Sequence, residues 1–417
     1  MSKRWFIWIG IVVLAVSCAQ DVPETEAFVL RVGASSAPIN PEEGTWLAGY
    51  SPSRQSTGVH DNLYAKAVVF DDGETPVALV VLDSIGVMYD TTLEIRARAA
   101  EKVQGIQLPP ERVIVQSTHT HCSPDVIGIY GPDFTTTGRD PEYLNLLIET
   151  ASDQVAAAAA ALEPATLAFA KTEGPDWAVN DSEPGVVDRT VTILQCTDPT
   201  GRSIATLTHF ACHTTVLDGN TTEVSADWVG AFYATMRENL PGEHLFLQGS
   251  IGGWMQPESG ERTFARAERY GAQLARKVLA ALENSSPVGG TGIRFARKVF
   301  EMPNTNQLYR QMSLAGLVPR PLGDSIETEV AWFAVGEAQF ATHPGETAPA
   351  FTWATHELMD SEPKFVLGLG LDMLGYILKA DYFDNTDDYR HAEYLTSMSP
   401  GRESGAAMMA SLEAIIP

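Results

Sequence analysis

The sequence predicts a mixed α/β fold: sheet layers flanked by helices, with any metal site at the C-terminal ends of strands. Three observations lead there. Apolar runs such as LVVLDS (79–84) and RVIVQST (112–118) have the length and β-branched content of buried strands. Long amphipathic stretches, EYLNLLIETASDQVAAAAAAL (142–162) and RTFARAERYGAQLARKVLAALE (262–283), read as helices. Clusters of Gly, Pro, Asp and Thr separate the two kinds of segment. Strands alternating with helices make layered sheets, and their strand-end loops are the natural place for chemistry.

In chain order, the first element is MSKRWFIWIGIVVLAVSC. Lys3 and Arg4 precede an apolar run from Trp5 to Val16 that is too short to span a bilayer. It reads as a signal peptide, residues 1–17. Its end, LAVSC, resembles a bacterial lipobox, so Cys18 is expected to carry lipid and residues 18–27 to form a tether. That places the protein in the cell envelope, attached to a membrane. Ala19, rather than aspartate, after Cys18 leans toward the outer membrane. The alternative is an ordinary secretory signal cut near Ala19, giving a secreted or periplasmic protein.

Residues 28–417 then read as one domain. RTVTILQC (189–196) and SIATLTHF (203–210) form a hairpin around the turn cluster TDPTGR. HLFLQG (244–249) is a short strand, and NSSPVGGTG (284–292) is the one linker-like stretch. Strands follow near 293–301 and 327–341, a helix near 347–359 and a strand at 364–369. MPNTNQLYRQMSLAGLVPRPLGDSI (302–326) reads as a long loop, either a pocket rim or a partly helical surface insert.

Composition narrows the partners. A net charge of -25 over 417 residues argues against nucleic acid. Oligomeric state is not legible. Beyond Cys18, three cysteines remain: Cys122, Cys196 and Cys212. An odd number permits at most one bridge; Cys122–Cys212 and buried free thiols are the two readings.

The candidate site starts at STHTHCSPD (117–125). On a strand, residues i and i+2 face the same way, so His119 and His121 can address one cavity if the strand persists. THFACHTTVLDGNTTEVSADWVG (208–230) puts His213 at another strand end, followed by Asp227. FATHPGETAPAF (340–351) puts Glu346 where a strand hands over to a helix. Two or three histidines and one carboxylate are the ligand inventory of a catalytic zinc site. Such a set leaves the ion with net positive charge, able to acidify a bound water.

These segments, with LAGYSPSRQSTGVHDNLYAKAVVFDD (47–72), FLQGSIGGWMQP (246–257), GLGLDMLGY (368–376) and SMSPG (397–401), resemble the neutral, non-lysosomal ceramidases. The resemblance runs from about Leu30 to the C-terminus and is nearest to short bacterial forms without a C-terminal immunoglobulin-like domain. It implies Zn2+ held by His119, His213 and Glu346, with Tyr376 as fourth ligand, and His121 beside the substrate as the acid/base group or an oxyanion donor. Met373 stands where the family's earlier tyrosine would sit; Tyr382 is a weaker substitute than Tyr376. The family's GDxSPN segment is altered: Gly253, Met255 and Pro257 replace its aspartate, serine and asparagine, and Ser250 lies upstream. Trp254 and Met255 are expected to make that wall apolar.

Asp227 is a candidate for orienting a ligating histidine, and His60 and Arg54 are candidates for the pocket. His209, His244, His343, His356 and His391 read as structural or surface residues. The implied activity is zinc-dependent hydrolysis of an amide in a ceramide-like or other N-acylated, lipid-like substrate. The alternatives are a zinc hydrolase acting on an ester or non-sphingoid amide, and a zinc-containing binding lipoprotein without turnover.

Overall fold

The structure, a computed structural model, describes residues 1–3, 5 and 29–417. The apolar N-terminal run, Cys18 and the tether lie outside the described residues. No helix among the described residues is long and apolar enough to cross a membrane.

Three sheets carry the domain. The first holds β1 (Arg31–Pro38), β2 (Tyr64–Asp71), β3 (Val77–Leu82), β4 (Val113–Ser117) and β5 (Glu163–Pro164), in the order β4-β3-β2-β1-β5. The second holds β6 (Thr166–Glu173), β8 (Thr190–Thr197), β9 (Ser203–Phe210), β10 (Glu243–Gln248) and β12 (Ser286–Pro287), in the order β10-β9-β8-β6-β12; beside it β7 (Ala178–Asn180) pairs with β11 (Met255–Pro257). The third runs β13 (Ile293–Pro303), β14 (Ser325–Val335), β15 (Ala338–Thr342) and β17 (Lys364–Leu367). A short parallel ladder joins β16 (Glu346–Thr347) to β18 (Tyr376–Ile377).

The apolar runs are explained by burial on both faces. Along β2 and β3, Ala65, Ala67, Val69, Ala78, Val80 and Leu82 point to one core. Val68, Phe70, Val77, Leu79 and Val81 point to another, shared with Leu194, Leu207, Leu245, Phe333 and Phe340 of the other sheets. A strand sandwiched this way has no solvent face and loses the apolar/polar alternation. The expected α/β layering, strand-rich and flanked by helices, is what forms.

The two helices expected before the linker are present as α2 (Pro141–Ala160) and α4 (Phe264–Leu282). Asp140 caps α2 by accepting from the Glu142 and Tyr143 amides, with Pro141 at the first position. Two further helices, α1 (Tyr89–Lys102) and α3 (Trp228–Asn239), had no expectation attached. Both are crossovers: β3–β4 and β9–β10 are parallel pairs, which cannot be joined by tight turns. Residues 302–326 contain α5 (Gln307–Leu314), whose Asn306 cap accepts from the Leu308 and Tyr309 amides. The chain ends through α6 (Pro349–Leu358), α7 (Asp381–Asp384), α8 (Ala392–Ser397) and α9 (Ser404–Glu413).

Two buried glutamines stitch the strand ends together. Gln116 of β4 donates through Nε2 to the carbonyls of Gln248 (2.6 Å) and Gly368 (2.9 Å). Gln248, the last residue of β10, donates to the carbonyls of Thr118 and Cys212, both at 2.9 Å, and accepts from the Cys212 amide. One side chain thus spans the segments leading into His119 and His213. Leaving such buried carbonyls unpaired costs about 1–3 kcal/mol each.

Candidate metal centre

β4 stops at Ser117, and His119 sits at φ 67°. The strand does not persist through the two histidines, so the same-face argument from the sequence does not apply. A left-handed turn does the work instead. The His119 amide donates to the Ser84 carbonyl, Thr120 bridges to Thr214, and Cys122 bridges to Ser225. This pins the 117–125 loop to the loop after β9, bringing the His119 and His213 ring centroids to 4.9 Å and those of His119 and His121 to 4.7 Å. Gly49 makes room: at φ 100°, a Cβ there would fall within 2.6 Å of the His121 ring.

The polar atoms converge. His119 Nε2 and His121 Nε2 are 3.1 Å apart, His213 Nε2 and Glu346 Oε2 are 3.1 Å apart, and His119 Nε2 lies 3.5 Å from the same Glu346 oxygen. Ligating atoms of the three histidines lie within 4.8 Å of one another. Glu346 is placed by the β16–β18 ladder, where it pairs with Tyr376 and its amide donates to the Gly375 carbonyl.

The far nitrogens fix the tautomers. His119 Nδ1 lies 2.5 Å from the Ile85 carbonyl oxygen, and His213 Nδ1 lies 2.8 Å from that of Met255. A carbonyl only accepts, so each Nδ1 carries hydrogen and each Nε2 is the nitrogen turned inward, the one a neutral ring would offer to a metal. Burial pushes the Glu346 carboxyl up, but the His119 and His213 rings outweigh it and hold the group well below the usual carboxylate range. Burial, and then the neighbouring His119 and His213, hold His121 neutral by lowering its basicity. Inward-facing Nε2 atoms and an ionised carboxylate at one point suit a divalent cation, and backbone carbonyls behind ligating imidazoles are the usual support for zinc.

Residues 31–265, more than half of the chain, match the family described as neutral/alkaline non-lysosomal ceramidase, N-terminal. The chain belongs to that family. Its fold is similar to the crystal structure of neutral ceramidase from Pseudomonas aeruginosa, with a TM-score of 0.77 at 16% identity, covering 93% of this chain and 74% of that one. A ceramidase complexed with C2 matches at a TM-score of 0.75, also at 16% identity, with the same coverage. Membership makes the protein a hydrolase by family, with a buried histidine group able to hold a metal.

In this ceramidase-family chain, two cavities meet at the cluster. A wide cleft of about 550 Å³ is lined by polar groups, His121, His213, Gln256, Ser259 and Arg262 among them, and by Tyr50, Val216, Trp254 and Pro257. A narrow apolar pocket of about 70 Å³ is lined by His119, His121 and Glu346 and by Met88, Ile127, Met312 and Leu322. His121, Tyr376 and Tyr394 border both. The Tyr376 hydroxyl accepts from Trp254 Nε1 at 2.7 Å.

Several expected residues stand elsewhere. Asp227 touches no histidine ring. It caps α3 at φ 54° and accepts from the Val216, Leu217 and Trp228 amides, shaping the turn after His213. His60 is exposed, stacked on Phe264 at 3.6 Å, and Arg54 is consumed by the Ala48 and Thr221 carbonyls; neither lines the two cavities. Tyr382 is buried against Tyr389, away from both. Ser250 is locked between Thr347 and Thr352. Trp254 lines the cleft as expected, but Met255 does not: its side chain packs with Ile251 and Leu369, and its carbonyl supports His213. His209 bonds the Val366 carbonyl and His343 bonds Thr347 and Thr355, as structural histidines do. Cys122, Cys196 and Cys212 are free and buried.

Sequence reasoning missed Gln116, Gln248 and the two carbonyls behind the histidines. Gln248 had a signal, being the polar end of an otherwise apolar strand. The carbonyls had none, since a backbone contact leaves no residue-type signature.

Proposed function

We propose that this protein is a zinc-dependent amidohydrolase acting on a ceramide-like or other N-acylated substrate at the cell envelope. The observation carrying this reading is the pair of Nδ1–carbonyl contacts at His119 and His213, which turn both Nε2 atoms toward the Glu346 carboxylate. His119, His213 and Glu346 would hold the ion, with Tyr376 as candidate fourth ligand. When bound, zinc supplies Lewis acidity toward a carbonyl oxygen and makes water a better nucleophile near neutral pH.

His121 differs from its two neighbours in a way that favours a proton-handling role. It borders both cavities, whereas His119 lines only the narrow pocket and His213 only the cleft. It is placed to take a proton from the attacking water and return it to the amine as the C–N bond breaks and the new C–O bond forms. Ser250, held by two threonine hydroxyls, has no route to the carbonyl, which favours direct attack by water over an acyl-enzyme. Metal analysis combined with hydrolysis screens on acyl amides and esters tests the reading. Zinc with amide turnover is expected. Metal-free protein, indifferent to chelators, would remove it, and turnover of esters alone would replace the substrate bond.

Anchoring is proposed from LAVSC alone. Cys18→Ser should move the protein from the membrane to the soluble fraction of fractionated cells. A wild-type protein already soluble, cut at Ala19, would contradict it.

A further inference from the structure

Behind Glu346 lies a run of buried hydroxyls that the chemistry proposed above does not use. Resting on the amidohydrolase reading, we propose that Thr347, His343 and Ser250 are positioning residues for the metal. Their side chains form a directed hydrogen-bond chain that closes the turn carrying Glu346 and fixes where its carboxylate points.

The turn is HPGET, residues 343–347. Glu346 and Thr347 make up β16, and successive strand residues face opposite ways. Glu346 Oε2 turns toward His119 and His213, while Thr347 Oγ1 turns away from them and lies 2.8 Å from His343 Nδ1. That contact ties the two ends of the turn together. The main chain is held as well. The His343 amide donates to the Leu367 carbonyl and the Glu346 amide to that of Gly375, both at 2.8 Å. From behind, the Gly252 amide donates to the Thr347 carbonyl at 2.8 Å, and a Cβ on Gly252 would strike the Glu346 carbonyl.

The chain extends both ways from Thr347. Ser250 Oγ lies 2.8 Å from Thr347 Oγ1 and accepts from Thr352 Oγ1 at 2.6 Å; His343 Nε2 lies 3.0 Å from Thr355 Oγ1. All five side chains are at most 1% exposed, so bulk water competes for none of these bonds. The ends decide the direction. A thioether cannot donate, so Thr355 gives its hydrogen to Met409 Sδ at 3.7 Å and accepts from His343. Burial, and then His356 and His209, push the His343 pKa down to about 3, so the ring is neutral and carries one hydrogen. That hydrogen sits on Nε2, the opposite tautomer to His119 and His213. Nδ1 then accepts from Thr347, Thr347 accepts from Ser250, and Ser250 accepts from Thr352. No hydroxyl in the chain can turn without unpairing a neighbour, and buried networks satisfied in this way are rigid. The rigidity is applied at the two residues that bracket Glu346, the one anionic donor of the proposed ligand set.

The test compares two substitutions in the full chain. Thr347→Val keeps the shape and removes the hydroxyl; Thr347→Ser keeps the hydroxyl. Zinc affinity, read by chelator competition below the melting temperature, should fall about 10–100-fold in the Val variant, the range for partners standing behind metal ligands. The Ser variant should stay near wild type. Ser250→Ala, which breaks the chain one link further out, is the second variant if Thr347→Val does not fold, and it should weaken zinc in the same direction. Nitrogen-15 NMR of the metal-free protein should show His343 protonated on Nε2, its signal identified by its loss in His343→Gln. Unchanged affinity in the folded Val and Ser250→Ala variants, even with a lowered melting temperature, overturns the proposal and leaves the amidohydrolase reading intact. So does a Ser variant as weak as Val, or a His343 protonated on Nδ1. A wild-type chain that binds no zinc overturns both.

Discussion

The histidine–glutamate cluster and the walls around it are held in opposite ways. The cluster rests on strand ends: β4 delivers His119 and His121, β9 delivers His213, and the β16–β18 ladder delivers Glu346. Each support is a backbone carbonyl or a buried glutamine amide. The walls come from connecting segments, 256–262 on the polar side and 307–322 on the apolar side. Backbone-anchored donors tolerate little change in position, whereas connecting segments change length and side chains freely. Chemistry and specificity are therefore separable in this fold.

The largest effect should come from within the cluster. His213→Ala removes one of the three proposed protein ligands and leaves Glu346 facing a gap. Bound zinc should fall from about one per chain to near zero, and hydrolysis with it. Chelator should lower the melting temperature of the wild type and leave that of the variant unchanged. A variant that keeps full metal occupancy, measured by elemental analysis, would move the ion away from His213.

His121→Ala sharpens the comparison inside the cluster itself. The variant should keep its zinc while kcat falls roughly 10²–10⁴-fold, the range for loss of a positioned acid/base group. Loss of the metal together with activity would make His121 a ligand instead, which the 3.1 Å approach of its Nε2 to that of His119 also allows geometrically. Full activity would leave it a structural neighbour of the metal.

How much of this was legible in the sequence follows the same division. The fold class was readable because strands sandwiched between cores leave continuous apolar runs, as in VALVVL of β3, and α2 and α4 were readable from their periodicity. α3 was not, because WVGAFYATMREN interleaves good helix formers with glycine, aromatic and β-branched residues; it forms because Trp228, Phe232 and Tyr233 are buried. The site residues His119, His121, His213 and Glu346 converge as their positions at strand ends suggested, although through a left-handed turn rather than strand alternation. The misplacements fell where side-chain direction decides. His60, Arg54 and Asp227 are near the site in sequence motifs, yet His60 stacks on Phe264, the Arg54 guanidinium donates to the Ala48 and Thr221 carbonyls, and Asp227 caps a helix. Residue type does not reveal which way a loop side chain turns.

The smallest effect on chemistry should come from Met255. Its side chain is fully buried with Ile251 and Leu369, and a thioether neither attacks a carbonyl nor carries a proton. What matters to the site is its main-chain oxygen, which accepts from both the His213 amide at 2.7 Å and His213 Nδ1 at 2.8 Å. Truncation leaves that oxygen in place. Met255→Ala should therefore cost about 2–5 kcal/mol of stability in urea titration, the usual range for emptying a buried methionine site. At a temperature where the variant remains folded, zinc content should be unchanged and kcat should stay within a few-fold of wild type. The two readouts separate the alternatives. Lost stability with retained turnover places residue 255 in the scaffold behind His213. A folded, zinc-loaded variant with no turnover would place its side chain in the reaction and break the division between donors and walls.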